Sequence, residues 1–304
     1  MLSKIKQAGY ILYKAGDNLV DNDGVELAGY LTFLTLLALF PFLVLIVAAA
    51  GFAGQGEVGT RFIELLITHM PDEAVVAIRP RVDEIMSGPP QGLLTISILG
   101  AIWTSSSAVE GMRTVLNRAY QVSNPPTYVL RRLMSILQLV IFTFVLLLVM
   151  LCIVISPLII TQLQSWIDTP ISPDLAQVWN QILFYLGAVL LFMVVTSLYY
   201  FLPNIKQKLL CVAPGAALVV VLWLAGAAGF SFYIANVDQV NVIYGSLGGF
   251  IATLLFFFIM NLIFIYGAEF NHMLNIITGE RIIEKEHVED NSHEVSLTDN
   301  PRKH

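Results

Sequence analysis

The sequence predicts an all-α membrane protein, with six transmembrane helices and an amphipathic helical outer loop between the first two. Three observations lead there. Hydrophobic residues make up 57% of the 304 and charged residues 12%, against roughly 45–50% and about 25% in soluble domains, so too few ionic groups remain to coat a water-soluble globule. The apolar residues gather into runs near the ~20 residues that a hydrocarbon core ~30 Å thick requires. Lysines and arginines fall almost wholly on alternate loops, the charge asymmetry of a multi-pass chain.

Taken in order, the chain divides into an N-terminal arm (1–27), a membrane domain (28–273) and a tail (274–304). The spans are read as 28–53, 92–109, 133–160, 182–202, 212–234 and 247–270. Lys4, Lys6 and Lys14 before the first span, and Ala48-Ala49-Ala50 near its end, imitate a signal peptide. The apolar run is longer than a cleavable segment of about 7–15 residues and further spans follow it, so it reads as a retained helix. The second span holds Thr104, Ser105, Ser106 and Ser107 and is the weakest by hydropathy, but Pro89-Pro90 and the charges from Glu110 to Arg113 bound it. Pro41 and Pro157 lie inside spans, where each frees a carbonyl and kinks its helix.

Between the first two spans, Phe62, Leu65 and Leu66, then Val75, Ile78, Val82 and Ile85, recur at helical spacing among acids and arginines. These amphipathic helices either cap the bundle or form a lid or partner-binding face. After Gly279 the chain loses apolar periodicity and reads as a disordered tail. Thirteen of the sixteen Lys and Arg residues lie on the N-terminal arm, the second and fourth loops and the tail; the other three, Arg61, Arg79 and Arg81, lie in the first loop. The cytoplasmic side carries the excess, so both termini are expected in the cytoplasm of a bacterial cell, the protein being multi-pass in the inner membrane.

A net charge of -6 and a pI near 5.3 argue against a nucleic-acid binder, whose affinity rests on a basic surface. Cys152 and Cys211 fall at different depths, too far apart for a disulfide. The histidines, His69, His272, His287, His293 and His304, form no HxH or HxxE spacing and no CxxC occurs, so neither a metal centre nor a cofactor is expected, and no catalytic residue is assigned.

The polar residues at span ends are the candidate sites. Asp23 and Glu26 form a D-x-x-E start that suits capping of the first span. Glu110 and Arg113 share a helix face with Ser106 and Ser107, either as a local ion pair or as a polar entry between helices. Glu269 ends a long apolar run without a local cation. It and Asn271 are expected either to reach headgroup water or to face the bundle, pairing with Arg113, Arg118, Lys206 or Lys208. The second arrangement makes Glu110, Arg113, Arg118, Glu269 and Asn271 a cytoplasmic vestibule. Asp238, Asn241 and Tyr244 are candidate polar contacts in an outer loop. Gly245 with Gly249, and Ala225 with Gly229, are small-residue pairs that let helices approach closely.

From Pro214 onward the residues Pro214-Gly215-Ala216, Trp223, Phe230 and Tyr233, Asn241-Val242-Ile243-Tyr244-Gly245-Ser246-Leu247-Gly248 and Gly267-Ala268-Glu269-Phe270-Asn271 follow one another. Together with Ala28-Gly29-Tyr30, Leu36-Leu37-Ala38-Leu39-Phe40-Pro41 and Asn117-Arg118-Ala119-Tyr120, they resemble the YihY/BrkB family of bacterial inner-membrane proteins over roughly residues 20 to 275. One departure is Phe256-Phe257-Phe258, where the family often shows a tryptophan. The resemblance implies a six-span inner-membrane protein and brings with it an old family label, ribonuclease BN. The expected function is transport or export of an amphipathic or lipid-like solute, with membrane lipids as surroundings. A non-transporting scaffold or assembly factor is the alternative, and a tRNA-processing ribonuclease the least supported.

Overall fold

The computed structural model describes residues 2–53, 91–122, 127–145, 147, 173–236, 246–278 and 283–284, with positions 67, 75, 79, 80 and 82. Seven helices and one short strand pairing organise them. The helices are α1 (Leu2–Asp21), α2 (Gly24–Ala53), α3 (Gln91–Ala119), α4 (Tyr128–Val145), α5 (Pro173–Phe201), α6 (Leu209–Asn236) and α7 (Ser246–Thr278). Strands β1 (Ile205–Lys206) and β2 (Ile283–Glu284) pair antiparallel, Ile205 opposite Glu284 and Lys206 opposite Ile283.

Four of the described helices are long and apolar enough to cross a membrane: Gly24–Ile46, Tyr128–Val145, Leu209–Ile234 and Gly248–Thr278. A shorter apolar segment, Tyr185–Phe201, belongs to α5. At about 1.5 Å per residue even the shortest of the four reaches about 27 Å, close to a hydrocarbon core. Their outward faces expose Phe33, Leu37, Leu137, Ile141, Val221 and Ile251, an apolar surface suited to lipid rather than water. The chain is therefore an all-α membrane protein. The second expected span lies within α3, outside the four, because Thr104 to Ser107 and the charges after them dilute its hydropathy. The outer loop lies outside the described residues apart from the isolated positions above, as do Asp238, Asn241, Tyr244, Pro157 and Cys152. Cys211 forms no disulfide among the described residues.

The N-terminal arm is mostly α1, which lays Ile11 and Ala15 against Met273, Tyr266, Phe270, Leu274 and Ile277 of α7. Tyr266 Oη donates to Leu12 O at 3.0 Å. The chain then reverses at Asn22-Asp23, with Asp23 at φ 57°. Gly24 is required there, since a Cβ would stand 2.5 Å from Leu19 O. At the other end, α7 continues to Thr278 and β2 ties residues 283–284 to β1, so the tail does not loosen at 274.

The densest packing lies where α3, α5, α6 and α7 converge, around Val115, Leu116, Tyr199, Leu202, Val212, Ala216, Val219 and Phe264. Helices α6 and α7 cross at Gly215 and Gly267. A Cβ on Gly267 would meet Val219 Cγ2 at 2.2 Å and Tyr199 Oη at 2.6 Å, and one on Gly215 would meet Gly267 O at 2.4 Å. The close crossing is thus displaced from the expected Ala225 and Gly229, where Gly229 has nothing within 4 Å. Gly249 is exposed and Gly245 lies outside the described residues. Helix α2 runs unbroken through Pro41 and packs on α3, where Leu34 occupies the space above Gly111.

Candidate functional site

Polar residues recur along one face of α3 at three- and four-residue steps: Ser106, Glu110, Arg113, Asn117 and, just past its end, Tyr120. The stripe is buried or half-buried throughout. At its start Glu110 gathers partners from two helices. Its Oε2 accepts a 2.8 Å hydrogen bond from Ser135 Oγ and lies 3.6 Å from Arg113 Nε, while Oε1 lies 3.4 Å from Arg131 Nε. Arg113 donates through Nη1 to Leu202 O at 3.0 Å and through Nη2 to Gln138 Oε1, which ties α3 to α4 and to the end of α5. Arg132 caps the group on the α3 side. It donates to Ser107 Oγ at 3.2 Å and to Trp103 O, with its guanidinium 4.2 Å above the Trp103 ring, a cation–π arrangement.

The α3–α4 partners advance together. Ser107 meets Arg132, Glu110 meets Ser135 and Arg113 meets Gln138, each pair 25 residues apart. In a hairpin of antiparallel helices the partner numbers would run in opposite directions, so these two stretches progress in the same sense. That register carries Arg131 and Arg132 back alongside the middle of α3 instead of leaving them at a loop.

At the other end of the stripe Asn117 Oδ1 accepts the Asn204 N–H at 2.8 Å, and the Tyr120 ring stands edge-on to His272 with centroids 6.1 Å apart. Burial raises the Tyr120 hydroxyl well above its ordinary pKa, the Glu269 charge adds to the rise, and the side-chain amides of Asn271 and Gln207 offset part of it. The phenol stays protonated.

Glu269 is fully buried, so it faces the bundle, but among the described residues no cation meets it. Its Oε1 accepts a 2.8 Å hydrogen bond from Asn22 Nδ2, in the turn between α1 and α2, and Oε2 makes none among the described residues. The expected pairing with Arg113, Arg118, Lys206 or Lys208 is therefore corrected: Asn22 takes that place because α1 folds back onto α7. Arg118 leaves the vestibule too, pointing outward to an exposed pair with Asp23. Asp23 consequently gives its side chain to Arg118, while its carbonyl accepts the first helical bond of α2 from Leu27 N at 2.9 Å. Asn271 serves the backbone of α6, accepting from Gly215 N at 2.7 Å and donating to Val212 O at 3.0 Å on either side of Pro214. Of the five expected residues, Glu110 and Arg113 come together directly. Glu269 and Asn271 stand at the far end of the α3 stripe.

A cavity of about 680 Å³ opens between α2, α3, α4 and α5. Its wall includes Ala38 and Phe42 from α2, Val109 and Met112 from α3, Leu139 and Phe142 from α4, and Leu190, Leu191, Val194 and Leu198 from α5. The polar lining residues are Thr35 and Ser105, and Ser105 Oγ is buried without a hydrogen-bond partner among the described residues. Met112, Leu139 and Leu198 lie within one turn of Arg113, Gln138 and Leu202, so the cavity and the Glu110–Arg113 group occupy neighbouring parts of the same helices, with Glu110, Arg113, Arg131 and Arg132 outside the lining. Nothing in the sequence announces this cavity, because its walls use the same apolar residues as a packed core. Among the described residues, no group of three or more His, Cys, Asp or Glu is placed to hold a metal ion.

The family model described as Virulence factor BrkB matches residues 15–290. A putative ribonuclease-like protein, YfkH, of Bacillus subtilis (strain 168) is 26% identical over 254 residues, covering 84% of this chain and 91% of that protein. A UPF0761 membrane protein of Histophilus somni (strain 2336) is 24% identical over 225 residues, covering 73% of this chain and 75% of the relative. A second UPF0761 membrane protein, from Prosthecochloris aestuarii (strain DSM 271 / SK 413), is 32% identical over 114 residues, 37% of this chain and 26% of that one. No solved structure matches the chain. With the model match spanning α1 to β2, the chain belongs to the BrkB family of membrane proteins.

Proposed function

We propose that the protein is a carrier or exporter of an amphipathic or lipid-like solute, held with its apolar part in the α2–α5 cavity. The observation behind this reading is the cavity itself: about 680 Å³ and apolar but for two hydroxyl residues. Its size falls within the ~300–1,000 Å³ of small-molecule sites, and its polarity matches a long apolar chain with a polar end. The vestibule expected to join Glu110 to Glu269 gives way, in this reading, to the cavity as the solute site, with the Glu110, Arg113 and Arg131 group fixing the neighbouring helices and Glu269 in a supporting role. An inner-membrane location with both termini cytoplasmic accompanies it, on the distribution of lysine and arginine, which remains ten against three when Arg113, Arg131 and Arg132, packed against α3, are left out. A scaffold has no use for the open volume. Catalysis is not part of the proposal, since the word ribonuclease enters only as an old family label and in a relative's printed name.

The test is transbilayer movement in proteoliposomes. Fluorescent-headgroup lipids are bleached from outside, and the protected fraction is followed over time. Wild-type protein is expected to lower that fraction. Gly187→Leu, at a lining residue where an added Cβ meets nothing within 4 Å, is expected to narrow the cavity and abolish the effect. Rates equal to those of protein-free vesicles would overturn transport of this class of solute.

A further inference from the structure

We infer that a monovalent metal cation binds among Glu269, Tyr120 and Gln207, where the α1–α2 turn, the end of α3, the segment leading into α6 and the last turns of α7 meet. This site is separate from the α2–α5 cavity and does not rest on reading that cavity as a solute site. Glu269 is 0% exposed, and its one bonded oxygen takes a neutral partner, Asn22 Nδ2 at 2.8 Å. A carboxylate held away from water is costly unless positive charge answers it. Among the described residues the ion pairs are those of Asp17, Asp23 and Glu110, and Glu269 has none.

Tyr120 joins the group. It is 3% exposed, and its ring stands edge-on to His272, one turn beyond Glu269 on α7. Its hydroxyl feels the Glu269 charge and the amides of Asn271 and Gln207, yet Tyr120 Oη makes no hydrogen bond among the described residues. Room for a further atom is left between them. Gln207 Nε2 donates to Tyr199 O at 2.6 Å, which fixes the other atom of that amide as a carbonyl oxygen, and this Oε1 is buried and also unpartnered among the described residues. Glu269 Oε2, Gln207 Oε1 and Tyr120 Oη are thus three buried oxygens with uncommitted lone pairs, supplied by three separate parts of the chain. Oxygen donors suit hard cations rather than soft transition metals. One carboxylate among neutral oxygens balances a single positive charge, whereas calcium sites draw on several carboxylates. Asn117 Nδ2 and His272 Nδ1, buried and unpartnered among the described residues, suit hydrating water.

The test measures binding of radioactive sodium to the full-length protein in detergent, with choline chloride holding the ionic strength constant. A single saturable site is expected. Glu269→Gln removes the charge but keeps an oxygen for Asn22, and should abolish binding. Tyr120→Phe and Gln207→Leu each remove one ligand oxygen and should weaken binding about tenfold. Asp17→Asn, at an exposed carboxylate paired with Lys14, should leave it unchanged. Where size-exclusion chromatography shows Glu269→Gln to be misfolded, Tyr120→Phe and Gln207→Leu decide the matter. Displacement by unlabelled sodium or potassium, with calcium acting no more strongly than its ionic strength explains, supports the monovalent assignment. Preferential displacement by calcium overturns that assignment. Absence of saturable binding for sodium, and for radioactive rubidium standing in for potassium, overturns the site. Sodium binding undiminished in Glu269→Gln, or in both Tyr120→Phe and Gln207→Leu, overturns it as well. Each of these results leaves the cavity reading untouched.

Discussion

Asn271 on α7 and Gly215 on α6 meet through a 2.7 Å hydrogen bond, the Gly215 N–H donating to Asn271 Oδ1. The same amide donates from Nδ2 to Val212 O at 3.0 Å, so one side chain answers two backbone groups flanking Pro214. Proline lacks the N–H that would donate to the Leu210 carbonyl and crowds the preceding turn, and Asn271 braces the backbone on either side of it from the neighbouring helix. Asn271→Ala strands two buried groups, each worth about 1–3 kcal/mol when left unpaired. Thermal unfolding in detergent should show a clear loss against Thr253→Ala, an exposed threonine that bonds only to its own helix.

Close approach at the α6–α7 crossing makes a second prediction. Gly267→Ala places a methyl group 2.2 Å from Val219 Cγ2 and 2.6 Å from Tyr199 Oη. Overpacking of this kind costs about 1–3 kcal/mol, and folded yield on size-exclusion chromatography should fall. Gly229→Ala has open space around it and should be neutral or mildly stabilising, because alanine favours helix over glycine by roughly 1 kcal/mol.

The partner of Glu269 is open to a double-mutant cycle. Hydrogen bonds to a charged group are worth about 1.5–3 kcal/mol, and Asn22→Ala combined with Glu269→Ala should recover a coupling of that order in unfolding free energy. The cycle pairing Arg113→Ala with Glu269→Ala should give coupling near zero. The exposed Arg118–Asp23 pair should give about 0–1 kcal/mol. A large Arg113–Glu269 coupling would restore the vestibule expected from the sequence.

Much of the membrane fold was legible because hydropathy and charge report directly on the surroundings of a helix. The local Glu110–Arg113 pair was legible for the same reason: residues three apart on a helix must be neighbours. What escaped was tertiary. Arg131 and Arg132 read as loop cations, yet the α3–α4 register brings them beside Trp103, Ser107 and Glu110. Asn22 lies 247 residues from Glu269, and only the reversal at Asp23 brings them together. A signal for α1 did exist, in the four-residue spacing of Ile11 and Ala15, but the lysines around it drew attention to topology. Gly215 and Gly267 lie on different helices, so no GxxxG pattern within one helix announces their contact.

Orientation is tested by cysteine labelling in intact cells. With a cysteine-free background, a cysteine introduced between residues 55 and 91 should react with a membrane-impermeant maleimide. One at Arg118, on the exposed surface near the α1–α2 turn, should react only after the membrane is opened. The opposite pattern would invert the assignment made from the distribution of lysine and arginine.

The central claim is that an amphipathic molecule occupies the cavity between α2, α3, α4 and α5. Its most direct measurement is photo-crosslinking with a fatty acid carrying a diazirine near the end of its chain, followed by mass-spectrometric mapping of the modified residues. The account predicts adducts on cavity-lining residues such as Val109, Leu191 and Val194, lost on competition with unlabelled fatty acid and in Gly187→Leu. Adducts confined to outward-facing residues such as Leu137 and Ile141, unchanged by competitor and by Gly187→Leu, would contradict it.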